Sequence, residues 1–157
     1  MDAVVQVITT TDKGMGAGSA WFSKDAREYA QTLLNQKVVI NVNGVEKETT
    51  IVPEDAYYLF TNLHVVNGGN TVSIRLPCMH ARDIPVDVIG HSDMDVACLR
   101  LSGPYLNMVQ QRLGTIPELE MGDSDLVVPS ERVKKCIARG YPLGCENQQF
   151  TSGIVSG

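Results

Sequence analysis

Two side chains in the sequence have the types and positions that proton transfer requires. His64 lies where the apolar strand pattern of residues 59–63 ends, and Asp95 opens a second apolar run, residues 96–99. An imidazole can accept a proton near neutral pH, and a carboxylate beside an apolar strand needs a partner to offset its desolvation. In the structural interpretation, His64 packs in the protein and Asp95 faces water or caps a turn. In the functional interpretation, Asp95 is a buried acceptor that orients His64 as a base.

The other histidines, His80 in a polar connector and His91 in a predicted turn, and the cysteines give weaker signals. No two cysteines are spaced as Cys-x-x-Cys, so a zinc site has little support. Cys78 and His80 lie close together but lack further ligands, and no metal site is predicted. Cys98 lies in an apolar strand pattern, which predicts a small buried side chain. A disulfide framework is not expected in a chain of this length and apolar fraction.

Composition and charge exclude several classes of protein. The chain has 157 residues, of which 43% are hydrophobic and 20% charged, as in a globular domain. Its net charge of -5 argues against a basic face that binds nucleic acid. Its apolar runs are far too short to span a membrane, and its first residues lack the pattern of a signal peptide. The sequence by itself leaves the compartment open.

Alternation of apolar and polar residues predicts an all-β fold. Short strands are predicted at residues 4–9, 18–23, 57–62, 71–76, 85–90, 95–101, 135–140 and 149–156. Turn residues separate many of these runs. Many short strands at close spacing are typical of an antiparallel barrel or sandwich.

One segment, residues 24–56, breaks this pattern. Residues 25–34 carry helix-forming residues with apolar side chains at helical spacing. Two β-rich runs, residues 37–42 and 45–52, then flank Asn43-Gly44, which predicts a hairpin. The segment is interpreted as a helix and hairpin insertion that either gates a site, binds a partner or decorates the surface. Residues 102–131 have weak periodicity and are interpreted as a connector.

Six short motifs follow one another along the chain. They are GSAWF at 18–22, TNLHVV at 61–66, DVACLRL at 95–101, GDS at 122–124, GYPLG at 140–144 and TSGIVSG at 151–157. In this order they resemble the trypsin-like serine proteases, most closely the high-temperature-requirement (HtrA, Deg) branch. The resemblance covers residues 3–157, interrupted by the insertion.

The resemblance implies a chymotrypsin-like fold, in which two six-stranded β-barrels hold a catalytic triad between them. The expected domains are a first barrel at 3–101 containing the insertion, a connector at 102–131, and the first strands of an incomplete second barrel at 132–157. By resemblance, His64 is the general base of a serine endopeptidase and Asp95 is the carboxylate that orients it. The family implies no cofactor and a peptide or unfolded-protein substrate. Members of this branch are often extracytoplasmic, and the compartment of this chain stays open.

The nucleophile is where the sequence departs from the family pattern. The family's serine lies in Gly-Asn-Ser-Gly-Gly or Gly-Asp-Ser-Gly-Gly, downstream of the motif at 151–157, and no Gly-x-Ser-Gly-Gly occurs in the 157 residues. Ser124 in Gly-Asp-Ser-Asp lacks the following glycines and is interpreted as structural. Cys136 and Cys145, tested because cysteine replaces serine in some viral relatives, also lack that context. We therefore expect no nucleophile in this chain and no peptide cleavage by it alone.

Two alternatives to the protease interpretation stay open. One is a catalytically inactive, protease-like domain that binds protein or peptide and keeps His64 and Asp95 by descent. The other is an unrelated β-barrel with chance matches to the motifs. In the protease interpretation, the few strands of residues 132–157 would leave open edges. We expect a complementary chain or a second copy to pair with these edges, or the region to be poorly ordered.

Overall fold

Antiparallel strands dominate the fold, as the alternating patterns predicted. The computed structural model describes residues 1–32, 37–42, 44–50, 56–76, 83–122, 134–142 and 147–155. In chain order, the elements are β1 (Val4–Thr11), β2 (Gly14–Phe22), α1 (Lys24–Thr32), β3 (Lys37–Val42), β4 (Val45–Thr50), β5 (Ala56–Asn62), α2 (Leu63–Val66), β6 (Thr71–Arg75), β7 (Asp83–Pro85), β8 (Asp87–Ser92), β9 (Val96–Ser102), α3 (Gly103–Leu113), β10 (Lys134–Gly140) and β11 (Gln149–Val155).

One large sheet forms the body of the described structure. Seven strands follow the order β7-β6-β1-β2-β5-β9-β8, with every neighbouring pair antiparallel. The sheet curls into a half-barrel, which confirms the predicted all-β fold. Alternate residues of its strands point into one apolar core, because successive side chains of a strand face opposite sides. The core includes Val5, Val7, Phe22, Leu59, Ile74, Leu99 and Leu101, all fully buried.

Several elements differ from the sequence prediction. Strand β2 begins at Gly14 rather than Gly18, because Thr11 pairs with Gly14 across a tight turn. Helix α3 occupies part of the predicted connector and buries Leu106 and Val109. Its second residue is Pro104, which indicated a turn in the sequence but is tolerated in the first turn of a helix, where the backbone amides have no partner within the helix.

The predicted insertion contains the expected helix and hairpin. Helix α1 lies on the outer face of the sheet, where Ala26 and Ala30 are fully buried with Tyr58 and Cys98. Burial raises the pKa of the Cys98 thiol to about 12, and the prediction that Cys98 is a small buried residue is confirmed. Strands β3 and β4 pair with each other in register, Val42 opposite Val45.

The first residues of helix α1 form hydrogen bonds with the segment that follows α3, residues 118–121. Leu119 accepts a hydrogen bond from the Lys24 amide at 3.0 Å and donates its own to the Phe22 carbonyl at 2.8 Å. The Asp25 carboxylate accepts the Met121 amide at 2.6 Å. Residues 118–121 are therefore anchored to the end of β2 and the start of α1.

Arg27 joins three parts of this region. Its Nε lies 3.2 Å from Glu118 Oε2, its Nη1 donates to the Ala56 carbonyl at 2.9 Å, and its guanidinium stacks 4.8 Å from the centre of the Tyr57 ring. The side chains of Arg27 and Glu118 are only 24% and 16% exposed. The pair is therefore screened less by water than a surface ion pair would be.

Strands β10 and β11 form a separate two-stranded sheet. They pair from Lys134–Val155 to Gly140–Gln149, and among the described residues each has the other as its sheet neighbour. The domain boundaries and the pairing of these edges with another chain stay predictions. No helix in the described part of the chain is both long and apolar enough to cross a membrane.

We expect Arg27→Met to lower the free energy of unfolding by about 2 kcal/mol, because it leaves the Glu118 carboxylate half-buried without its charged partner. The measurement is equilibrium unfolding of the chain in urea. Lys24→Met is the matched control, since Lys24 and Glu120 form an ion pair with side chains 57% and 71% exposed. The importance of Arg27 is contradicted if the two variants shift the unfolding midpoint equally.

Candidate active site

Pairing of β5 with β9 brings the two predicted site residues together. Asn62, the last residue of β5, lies opposite Val96, the first residue of β9. Because the strands are antiparallel, the chain leaves β5 at the sheet edge where it enters β9. His64, in the one-turn helix α2, and Asp95, in the turn before β9, are thereby placed side by side.

His64 and Asp95 are joined at two points. His64 Nδ1 lies 2.6 Å from Asp95 Oδ2, and the His64 backbone amide donates to Asp95 Oδ1 at 2.8 Å. The expected contact between the imidazole and the carboxylate is therefore present. Holding both oxygens fixes the orientation of the carboxylate as well as its distance from the ring.

The backbone of Asp95 adopts an unusual conformation. Its φ is +60°, and it is the only non-glycine residue with a positive φ in the ranges described. Aspartate tolerates this left-handed region better than most residues. Its carbonyl accepts the Leu63 amide at 3.1 Å and the Asn62 side-chain amide at 3.3 Å. Together with the two bonds to His64, these contacts hold the turn in place.

The pair lies at the surface rather than in the interior. The side chains of His64 and Asp95 are 71% and 46% exposed, which corrects the expectation of a buried carboxylate. The apolar strand begins only at Val96, and the Asp95 oxygens obtain their partners from the start of α2 instead of from the core. Both side chains are therefore accessible from solvent.

Hydrogen bonding lowers the pKa of Asp95. The largest cause is the bond to the His64 ring, followed by the bond from the His64 backbone amide. Asp95 is therefore ionised at neutral pH and can only accept hydrogen bonds. The Nδ1 atom of a neutral His64 ring must then carry the proton, which leaves Nε2 as a proton acceptor.

The other candidates from the sequence are not joined to this pair. His91 is an exposed residue of β8, and Cys136 is an exposed residue of β10. Within the described ranges, no group of three or more His, Cys, Asp or Glu residues could hold a metal ion. Four further residues considered in the sequence, Cys78, His80, Ser124 and Cys145, lie outside the described residues.

Sequence analysis missed the contribution of Asn62. Its side chain donates to the Asp95 carbonyl, so it helps to hold the residue that orients His64. The available signal was an amide residue at the end of an apolar strand, two positions before the histidine. That signal does not reveal the partner, which comes from a turn distant in sequence.

Comparison with known families identifies the class of protein. The trypsin-like peptidase domain family matches residues 44–157, and the chain belongs to this family. The resemblance inferred from the six motifs is therefore confirmed. The members of this family are peptidases, a class of hydrolases. No curated protein sequence matches the chain.

Solved structures of several proteases share the fold. The HtrA-type protease AlgW, solved with a tripeptide, is 23% identical, with a TM-score of 0.60, and the match covers 99% of this chain and 36% of AlgW. The serine endoprotease from Yersinia pestis is 17% identical, with a TM-score of 0.58, covering 99% and 40%. The Rv3671c protease from M. tuberculosis is 17% identical, with a TM-score of 0.52, covering 97% and 46%. The chain therefore spans less than half the length of these proteins.

We expect His64→Ala to raise the pKa of Asp95 toward its ordinary value, because the ring bond is the main cause of its depression. The residual depression would come from the backbone amide at position 64, which an alanine retains. Carbon-13 NMR titration of the aspartate carboxyls measures the change. An unchanged Asp95 titration in this variant would contradict the contact.

The same shift predicts how stability depends on pH. Because the pKa of Asp95 is lowered by folding, its stabilising contribution is complete above the unfolded pKa of about 4. This contribution is lost as the pH falls through the lower, folded pKa. We expect wild type to lose more stability than Asp95→Asn between neutral pH and that range, as measured by urea unfolding at a series of pH values.

Proposed function

We propose that this chain is part of the catalytic domain of a serine endopeptidase and supplies the base and the orienting carboxylate of its triad. His64 is the general base and Asp95 is its partner. The nucleophilic serine is not among the 157 residues. The family pattern would place it in a Gly-x-Ser-Gly-Gly segment downstream of the motif at residues 151–157.

The observation that carries this proposal is the 2.6 Å contact between His64 Nδ1 and Asp95 Oδ2 on an exposed imidazole. A structural histidine would be expected to use both ring nitrogens within the protein. Here one nitrogen is committed to a carboxylate and most of the ring is open to solvent. This arrangement leaves Nε2 available to a hydroxyl group that approaches from outside the sheet.

The proposed reaction follows from this tautomer. Nε2 removes the proton from the serine hydroxyl while the serine oxygen bonds to the scissile carbonyl carbon. The imidazolium that forms is stabilised by the Asp95 carboxylate, which stays ionised. Nε2 then gives the proton to the leaving amine as the carbon–nitrogen bond breaks. Water repeats the sequence to release the acyl group and restore the enzyme.

A cleft beside the pair is a suitable place for a peptide. It has a volume of about 400 Å³, and its lining includes Trp21, Asn62, Ile137 and Arg139. Asn62 is two residues before His64, so the cleft borders the proposed catalytic pair. The lining combines apolar surface with hydrogen-bonding groups, which suits an extended peptide or a segment of unfolded protein. The tripeptide in the AlgW structure supports this class of substrate.

A second candidate is a binding domain that has kept the protease fold. The cleft beside Asn62 favours it, because its mixed apolar and hydrogen-bonding lining can bind a peptide without any contribution from a nucleophile. In that case, the cleft beside Asn62 would bind peptide without cleaving it. The two candidates make opposite predictions for a reagent that reacts only with an activated serine.

We expect the complete gene product to react with a fluorophosphonate at a serine in a Gly-x-Ser-Gly-Gly segment, because His64 would activate that hydroxyl. Mass spectrometry of the labelled peptide identifies the serine. Labelling should be lost in His64→Ala and kept in His91→Ala, the matched removal of an exposed histidine. A folded gene product without label, or without such a segment, would remove the enzyme proposal and favour the binding domain.

We expect Asp95→Asn to lower kcat by about 10⁴-fold in the complete enzyme, since an asparagine no longer enforces the Nδ1–H tautomer. Cleavage of a fluorogenic peptide measures the loss. Asp93→Asn, an exposed residue in the same turn, is the charge-matched control and should behave as wild type. Equal activity of the two variants would contradict the role of Asp95.

A further inference from the structure

Two adjacent residues of strand β2 contact elements on either side of the proposed site: helix α2 on one side and the end of β10 on the other. Gly18 lies beneath helix α2, which carries His64. Ser19 bonds to the end of β10, on the other side of the cleft. Neither residue belongs to the proposed triad, and Ser19 also lines the cleft proposed for the peptide.

Gly18 lets helix α2 lie unusually close to the sheet. A Cβ atom at position 18 would be 2.8 Å from both Cγ atoms of Val65 and 3.4 Å from its Cβ. Side chains do not approach at 2.8 Å, so α2 could keep its place only because residue 18 has no side chain. Val65 directly follows His64, so a displacement of the Val65 backbone also displaces the imidazole.

Helix α2 cannot hold this position by itself. It has four residues, and its last turn is closed by the Asn67 amide, which donates to the Leu63 carbonyl at 2.8 Å. A single turn gains too little from its own hydrogen bonds to be stable. The surface on which it lies must therefore determine its depth, and the contact of Val65 with Gly18 is part of that surface.

Ser19 makes the corresponding contacts on the other side. Its hydroxyl oxygen accepts the Tyr141 backbone amide at 2.7 Å, and its carbonyl accepts the Thr61 hydroxyl at 2.8 Å. A Cβ atom at Gly140 would lie 2.8 Å from the Ser19 hydroxyl oxygen, so β10 also approaches through a glycine. Ser19 thus links the end of β5, just before His64, to the end of β10.

We propose that Gly18 and Ser19 are positioning residues that together form a joint of the active site. Gly18 sets the depth of His64 relative to Asp95, and Ser19 sets the place of β10 relative to that pair. The importance of this joint for catalysis rests on the proposed function. Its geometry can be tested on the chain itself without any turnover.

The first test compares alanine at positions 18 and 16. In wild type, we expect long-range proton–nitrogen NMR spectra to show the neutral His64 ring as the Nδ1–H tautomer. Gly18→Ala should displace α2 and give a mixture of tautomers. Gly16→Ala is the matched control, because it lies in the same strand and a Cβ atom there would meet nothing within 4 Å. It should keep the wild-type spectrum.

A second variant separates displacement of α2 from general loss of folding. Val65→Ala removes both Cγ atoms and leaves a Cβ atom 3.4 Å from the new side chain. Gly18→Ala combined with Val65→Ala should therefore restore the Nδ1–H tautomer. A wild-type His64 spectrum in Gly18→Ala, or no recovery in the double variant, would overturn the role of Gly18.

The third test concerns the hydrogen bond between Ser19 and Tyr141. Ser19→Ala should increase hydrogen exchange of the Tyr141 amide by roughly 2- to 10-fold, the loss of one hydrogen bond, and leave the His64 tautomer unchanged. Unchanged exchange at Tyr141 would overturn the role of Ser19. If the complete gene product takes up no fluorophosphonate while Gly18→Ala still displaces His64, the protease proposal fails and the positioning geometry stands.

Discussion

The antiparallel pairing of β5 with β9 is the constraint on which the site depends. It brings the residue after one strand next to the residue before the other, and every contact between His64 and Asp95 follows from that register. A shift of one residue would turn the core side chains of a strand to the opposite face. Burial of Leu59, Leu99 and Leu101 therefore fixes the register of β5 and β9. This register in turn keeps the solvent-exposed His64 and Asp95 side by side.

Asp95 connects this register with the chemistry. The positive φ of Asp95 is conformationally unfavourable, and without its hydrogen bonds this residue would relax to a more common conformation. The contacts from Asn62, Leu63 and His64 offset this cost and orient the carboxylate at the same time. The hydrogen bonds that hold the strained backbone of Asp95 therefore also hold its carboxylate in place to accept hydrogen bonds from His64.

The sequence predicted the parts of this arrangement that have a short-range signal. Alternation predicted the strands, including those that end before His64 and begin after Asp95, and the order of the motifs predicted the family. Helix α3 was missed because Pro104 indicated a turn, although Leu106, Val109 and Leu113 lie at helical spacing. The exposure of Asp95 and the contact of Gly18 with Val65 were missed because each depends on residues from distant segments. Such contacts leave no periodic pattern along the chain.

The insertion helix has a consequence for how the molecule can be studied. Cys98 lies under α1 with 1% of its surface exposed, and its Sγ lies 3.8 Å from the Ala26 carbonyl. A thiol with a pKa of about 12 forms almost no reactive thiolate at neutral pH. Alkylation of Cys98 therefore requires α1 to lift from the sheet. The rate of Cys98 alkylation thus reports how often α1 opens, at a cysteine native to the sequence.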